Sequence, residues 1–161
     1  MHAHTLDASS ILHAWDNYPI SQFPKMWDWL GAEVQAERVS IPAVALKEVA
    51  DSNQPCSSWL QGHQVRMLAI GTTELTFAAD VKSQLGIVGD GYHAKGVSEN
   101  DLLIIACAKT HGVKLITNEG LQFVAPVVES RRKIPSVCDL PSVQVRHLNF
   151  LQYIQASQQV F

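Results

Sequence analysis

A chain of 161 residues, 47% hydrophobic and 17% charged, can bury one compact core and is too short for two full-sized domains. Residues 1–161 are therefore read as a single domain. The formal charge of −3 excludes a globally basic nucleic-acid binder, so such a partner would be held by a local patch or through metal ions.

No apolar run approaches the ~20 residues that span a bilayer. The opening MHAHTLDASS lacks the basic start and long apolar stretch of a secretory leader. Three widely spaced cysteines (Cys56, Cys107, Cys138) form no CxxC pair, so neither a disulfide framework nor a zinc site is indicated. A cytoplasmic protein without a membrane segment is the expectation.

In chain order, HTLDASSILHAW reads as a short strand entering a helix, with the strand ending at Asp7 and Ser9 or Ser10 as N-cap. His2 and His4, which alternate before it, are read as a frayed terminus rather than as ligands. ISQFPKMWDWLGAEVQAE then places Phe23, Met26, Trp27, Leu30 and Val34 along one helical face. Trp27 and Trp29 flank Asp28 and cannot share that face. Trp27 is assigned to the core and Trp29 to a partner or second protomer.

RVSIPAVALKEVADS gives a few strand-like residues, then Pro42 at the first helical position and a helix ending around Asp51 to Asn53. NQPCSSWLQGH is turn-rich and leads into a mixed region up to Gly71. TTELTFAADVKSQLG is an amphipathic helix closed by Gly86. GIVGDGYHAKG is a surface loop without a phosphate-binding glycine motif. ENDLLIIACAKTHGVKLITNEG gives a helix with Cys107 in the core, a turn at Gly112 and a strand. ESRRKIPSVCDLPS is a polar connection, VQVRHL a strand, and NFLQYIQASQQ a last short helix. Helices alternating with short Val/Ile/Leu-rich strands predict an α/β domain of three layers, helix–sheet–helix, around a mainly parallel sheet.

Parallel strands gather ligands at their carboxyl edge, so a strand ending at Asp7 puts that carboxylate there. A helix from Asp101 to His111 covers about 15 Å, and the strand after Gly112 climbs back about 15 Å to Glu119. Asp101 and Glu119 thus meet at one edge. Periodicity does not fix the orientation of Glu48. Clustered carboxylates raise one another's pKa unless a cation neutralises them, and hard divalent ions favour such oxygen donors. Each acid also has a plainer role: Asp7 as an N-cap, Asp101 in a capping box with Ser98, Glu48 and Glu119 as solvated residues. The run Arg131, Arg132, Lys133 is a solvated face or an RNA-backbone contact, to which Lys47, Lys95 and Lys109 could add. His93 and His111 have no partnering nucleophile.

LDASSIL, IPAVALKEV and ENDLLIIACAKTHGVKLITNEG together resemble the PIN domain, the nuclease fold of VapC-type toxins. ISQFPKMWDWL and KIPSVCDLPSVQVRHLNFLQYI resemble segments of a less characterised PIN-like subgroup, so the resemblance covers most of the chain. It implies a three-layer α/β/α PIN-like fold and a metal-dependent endoribonuclease that hydrolyses RNA phosphodiester bonds as the toxin of a toxin–antitoxin pair. It further implies four acids, Asp7, Glu48, Asp101 and Glu119, around Mg²⁺ or Mn²⁺. Ser9 would support Asp7, Thr117 matches the Thr of the final strand, and Asn118 is placed near the metal's water or the phosphate, although a plain turn role is the simpler assignment. An antitoxin partner and a homodimer are expected on the same ground. The sequence departs from the family pattern where Glu119 stands for Asp, Ala8 for Thr, and Phe123 falls one residue late. Those departures keep an alternative open, a weakly active or inactive PIN-like module that binds RNA or a protein.

Overall fold

The computed structural model describes residues 3–161, so His2 lies outside the described residues. Five short strands make one sheet: β1 (His4–Leu6), β2 (Val39–Pro42), β3 (Arg66–Leu68), β4 (Lys114–Ile116) and β5 (His147–Leu148). The strand order is β3-β2-β1-β4-β5 and every pairing is parallel. Parallel neighbours cannot be joined by a hairpin, so each connection crosses over through helices. These are α1 (Ala8–Asn17) and α2 (Pro24–Gln35), then α3 (Ala43–Ser52) and α4 (Gln54–Gly62). After β3 come α5 (Thr72–Gln84) and α6 (Glu99–His111), after β4 the short α7 (Ile134–Cys138), and at the end α8 (Phe150–Ser157).

The chain steps outward from β1 to β2 and β3, then returns to pair β4 against the other side of β1. That reversal opens a crevice at the carboxyl ends of β1 and β4. Leu6, Ile41, Leu115 and Ile116 on the strands are fully buried. Leu102 through Ala108 of α6 are buried all round, which is why that helix carries only apolar material between its polar ends. Gly112, at φ +63°, closes α6 in the left-handed conformation that glycine adopts without steric cost.

Several expectations are corrected. The N-cap of α1 is Asp7, in the plainer role read for it, and not Ser9 or Ser10. Pro42 ends β2 and caps α3 rather than opening it. NQPCSSWLQGH forms α4: Asn53 accepts from the Cys56 amide at 3.1 Å and Pro55 occupies the first turn, a start signal hidden by polar composition. IPSVC, inside the expected polar connection, is a fully buried turn of helix. Phe23 is 42% exposed and stands before α2, whereas Met26, Trp27, Leu30 and Val34 are buried as expected. His4 is no frayed end; it opens β1 and meets the Tyr153 ring edge-on at 4.9 Å. Trp27 packs edge-on to Trp15 and Trp59 and donates to the Tyr18 carbonyl at 2.6 Å. Trp29, assigned to a partner, is covered by this chain's own Tyr153 and Phe161.

Candidate active site

The β1–β4 register pairs Leu6 with Ile116, so the next residues, Asp7 and Thr117, face each other at the crevice. The Asp7 amide donates to the Ile116 carbonyl at 3.0 Å, extending the ladder by one bond. Asp7 Oδ1 accepts from the Ser10 amide at 2.8 Å. Its Oδ2 accepts from Ser9 Oγ at 2.7 Å and from Thr117 Oγ1 at 2.5 Å. Ser9 Oγ in turn accepts from the Asn118 amide at 2.9 Å, and Thr117 Oγ1 from the Glu119 amide at 3.3 Å. Helix start and strand end are thus tied through one carboxylate. Burial pushes the Asp7 pKa up, against the pull of the bonds from Thr117, Ser9 and Ser10. Thr117→Val keeps the β-branched shape and removes one donor to Asp7. It should cost about 1.5–3 kcal/mol in urea denaturation near neutral pH, the range for hydrogen bonds to charged groups.

Asp101 stands in the first turn of α6, where an acid is favoured by the helix dipole. Its Oδ2 accepts from the Ser98 amide at 2.8 Å while its own amide donates to Ser98 Oγ at 3.2 Å. The capping box read in the sequence is therefore formed, and the same carboxylate still acts on the other acids. Glu48 is half-buried on α3, which packs on α6, and the Asn100 side chain hydrogen-bonds it. Burial raises the Glu48 pKa, and the charges of Asp101 and Asp7 raise it further. For Asp101 burial again dominates over the opposing bonds from Ser98.

Glu119 follows β4 by three residues and is half-buried. Its Oε2 accepts from the Ile134 amide at 3.0 Å, at the head of α7; Oε1 has no hydrogen-bond partner among the described residues. Burial first, then Asp101 and Asp7, push its pKa up to about 7, against the pull of the Ile134 amide and Lys133. Glu48 and Glu119 thus each sense the charges of both Asp101 and Asp7.

The donor chemistry fits a hard divalent cation: four carboxylates that destabilise one another's charge and would be relieved by a positive ion. The arrangement is not closed around such an ion. Among the described residues no group of three or more His, Cys, Asp or Glu side chains is gathered tightly enough to hold one. Asp7, Asp101 and Glu119 each turn an oxygen to a neighbouring backbone or hydroxyl donor.

Of the supporting residues, Ser9 and Thr117 contact Asp7 directly. Asn118 Oδ1 accepts from the Phe150 amide at 2.9 Å and so ties the end of β4 to the first turn of α8. The sequence offers Lys133 only as part of the basic run and not as a neighbour of the acids, and Asn100 does not stand out; for Asn100 the one available signal is its place next to Asp101. Beyond Glu119 the chain exposes an apolar stretch, with Phe123 92%, Val124 86% and Val127 101% exposed. Phe123, the residue displaced from the family spacing, contributes nothing to the core.

Solved structures share this architecture at low sequence identity. VapBC2 from Rickettsia felis, bound to a DNA fragment from its promoter, matches at TM-score 0.57 and 15% identity, over 91% of this chain and 98% of the other. DNA-bound VapBC from Salmonella typhimurium matches at 0.56 and 16%, over 93% and 99%. PAE2754 from Pyrobaculum aerophilum matches at 0.52 and 13%, over 98% and 91%. No curated protein matches the chain in sequence. The likeness establishes a three-layer α/β/α PIN-like fold with a parallel central sheet. A family model described as a domain of unknown function (DUF4411) matches residues 4–161, and the chain belongs to that family.

Proposed function

We infer that this chain is a divalent-cation-dependent endoribonuclease that hydrolyses RNA phosphodiester bonds, acting as the toxin of a toxin–antitoxin pair. The observation that carries the reading is that Asp7 follows β1 at the point where the strand order reverses, and that its charge and that of Asp101 act on both Glu48 and Glu119. These four would hold Mg²⁺ or Mn²⁺. Such an ion, when bound, supplies polarisation of a phosphate and acidification of a water. The chain's own residues orient the site: Ser9, Ser10 and Thr117 fix Asp7, Ser98 fixes Asp101, and Asn100 holds Glu48. Glu119, with Oε1 unpartnered and its pKa pushed up to about 7, can hold a proton at that atom in the cation-free protein, which a bound cation would displace.

An antitoxin partner is supported by the fold shared with VapBC complexes and by the exposed apolar stretch beside Glu119. No described helix is long and apolar enough to cross a membrane. One observation favours a second reading, a binding module without turnover: both Asp7 oxygens already accept hydrogen bonds from the protein. Incubating the protein with single-stranded and structured RNAs in Mn²⁺ or Mg²⁺, beside chelator, separates the two. Cation-dependent cleavage supports the nuclease, and RNA binding without turnover in either ion supports the module.

A further inference from the structure

The basic run does not act as one face. Arg132 is committed locally, with Nε 2.6 Å from Glu129 Oε2 and Nη1 donating to Ser136 at 2.7 Å. Its neighbours Arg131 and Lys133 instead line a cleft of about 590 Å³ together with Lys95, Gly120 and Glu119 itself. The cleft therefore shares a wall with the acidic crevice. None of its three cations forms an ion pair among the described residues. Lys133 senses the Glu119 carboxylate, and its Nζ lies 3.9 Å from where a methyl on Gly120 would be.

The cleft is built rather than incidental. Gln122 clamps its floor, donating to the Arg131 carbonyl at 3.1 Å and accepting from the Lys133 amide at 2.8 Å. Arg131 Nε is held by His93 Nε2 at 3.1 Å. The loop bearing Lys95 is docked by Val97, whose amide donates to the Arg132 carbonyl at 2.9 Å, and by Gly96. A Cβ on Gly96 would sit 1.9 Å from the Ser130 carbonyl oxygen, so only glycine permits this approach of two backbones. In a chain of net charge −3, three cations without an ion pair gathered on one cleft form a local positive patch that suits an anionic ligand.

We propose that Lys95, Arg131 and Lys133 seat a backbone phosphate of single-stranded RNA next to the one presented to the acids. The proposal rests on the nuclease reading and assigns the substrate's register within it. These are positioning residues: they touch a phosphate that does not react, and they carry no sequence information. A second basic cleft, lined by Lys109, Lys114 and Arg146, lies at the opposite edge of the sheet and serves as the internal control.

The test measures anisotropy of a labelled single-stranded oligoribonucleotide bound to the full chain in chelator, across a salt series. Lys95→Ala/Arg131→Ala/Lys133→Ala should weaken binding at least tenfold and flatten the log–log salt slope by ~0.7, the value for one single-strand phosphate no longer neutralised. Lys109→Ala/Lys114→Ala should bind as wild type. The charge-keeping set Lys95→Arg/Arg131→Lys/Lys133→Arg should restore most of the affinity, which a purely structural role would not. Cleavage in Mn²⁺ is followed in parallel, where the triple alanine variant should raise KM far more than it lowers kcat. Unchanged affinity in the triple variant, or weaker binding by the control instead, overturns the seat while leaving the nuclease reading intact. Binding that falls as expected in a protein that cleaves no RNA supports the seat and overturns the nuclease reading. Gly96→Ala should weaken RNA binding with all three cations present, and normal affinity in a folded Gly96→Ala protein overturns the role given to the docked loop.

Discussion

Asp7→Asn is expected to abolish RNA cleavage while leaving the protein as stable as the wild type, or more so. The two effects have separate causes in one side chain. Asparagine caps helices as well as aspartate does, and its Oδ1 can keep the bond from the Ser10 amide. Its amide group meets the hydroxyls of Ser9 and Thr117, which can rotate to accept instead of donating. The charge that burial disfavours is gone, so the folded state loses a cost rather than a support. What disappears is the central anion of the crevice, and cleavage should fall by about 10²–10³-fold or more, the scale of losing one preorganised electrostatic element. Asp7→Ala, by contrast, should also lose about 1 kcal/mol as a missing cap. Calorimetric melting and a cleavage assay on the same preparations decide the matter. An Asp7→Asn protein that is as stable as wild type and cleaves normally would reduce Asp7 to a helix cap.

The second large effect is a dependence of stability on pH that a divalent cation reverses. Asp7, Glu48, Asp101 and Glu119 all have pKa values raised by burial, and Glu119 reaches about 7 from an ordinary 4.5. Between those two values the folded protein holds a proton on Glu119 that the unfolded chain has released. The stabilisation is therefore complete below about pH 4.5 and is lost as pH rises to about 7. At 1.36 kcal/mol per pKa unit, Glu119 alone accounts for roughly 3 kcal/mol as an upper figure, and the other three acids act in the same direction. In chelator, the melting temperature should thus be higher near pH 5 than near pH 8. Added Mn²⁺ should raise it near pH 8 and do little near pH 5, where protons hold the same oxygens. A melting temperature that climbs with pH in chelator would contradict the coupling among these acids.

The two strand-end residues are legible in the sequence because a short apolar strand must stop where its register stops, which brings Asp7 and Thr117 level. Asp101 and Glu119 follow from helix rise and strand rise, quantities that need no tertiary information. Glu48 does not follow, because which side of α3 meets α6 is decided by packing, and it shows in the Asn100 hydrogen bond and in the action of Asp101 and Asp7 on Glu48. α7 is five residues long, too short to display a helical period, and α4 hides behind serine and glutamine. The division of labour within Arg131, Arg132 and Lys133 is illegible for another reason. It depends on Glu129 and Ser136 capturing the middle residue, a local competition that composition cannot rank.

The most direct measurement is Mn²⁺ binding near pH 8, by calorimetry or by the loss of free-ion resonance signal, because it requires no knowledge of the RNA target. Wild type should bind the ion, and Asp101→Asn/Glu119→Gln should bind at least tenfold more weakly while remaining folded. Equal binding by both proteins, or none by wild type, would contradict the claim that these acids form a cation-dependent site.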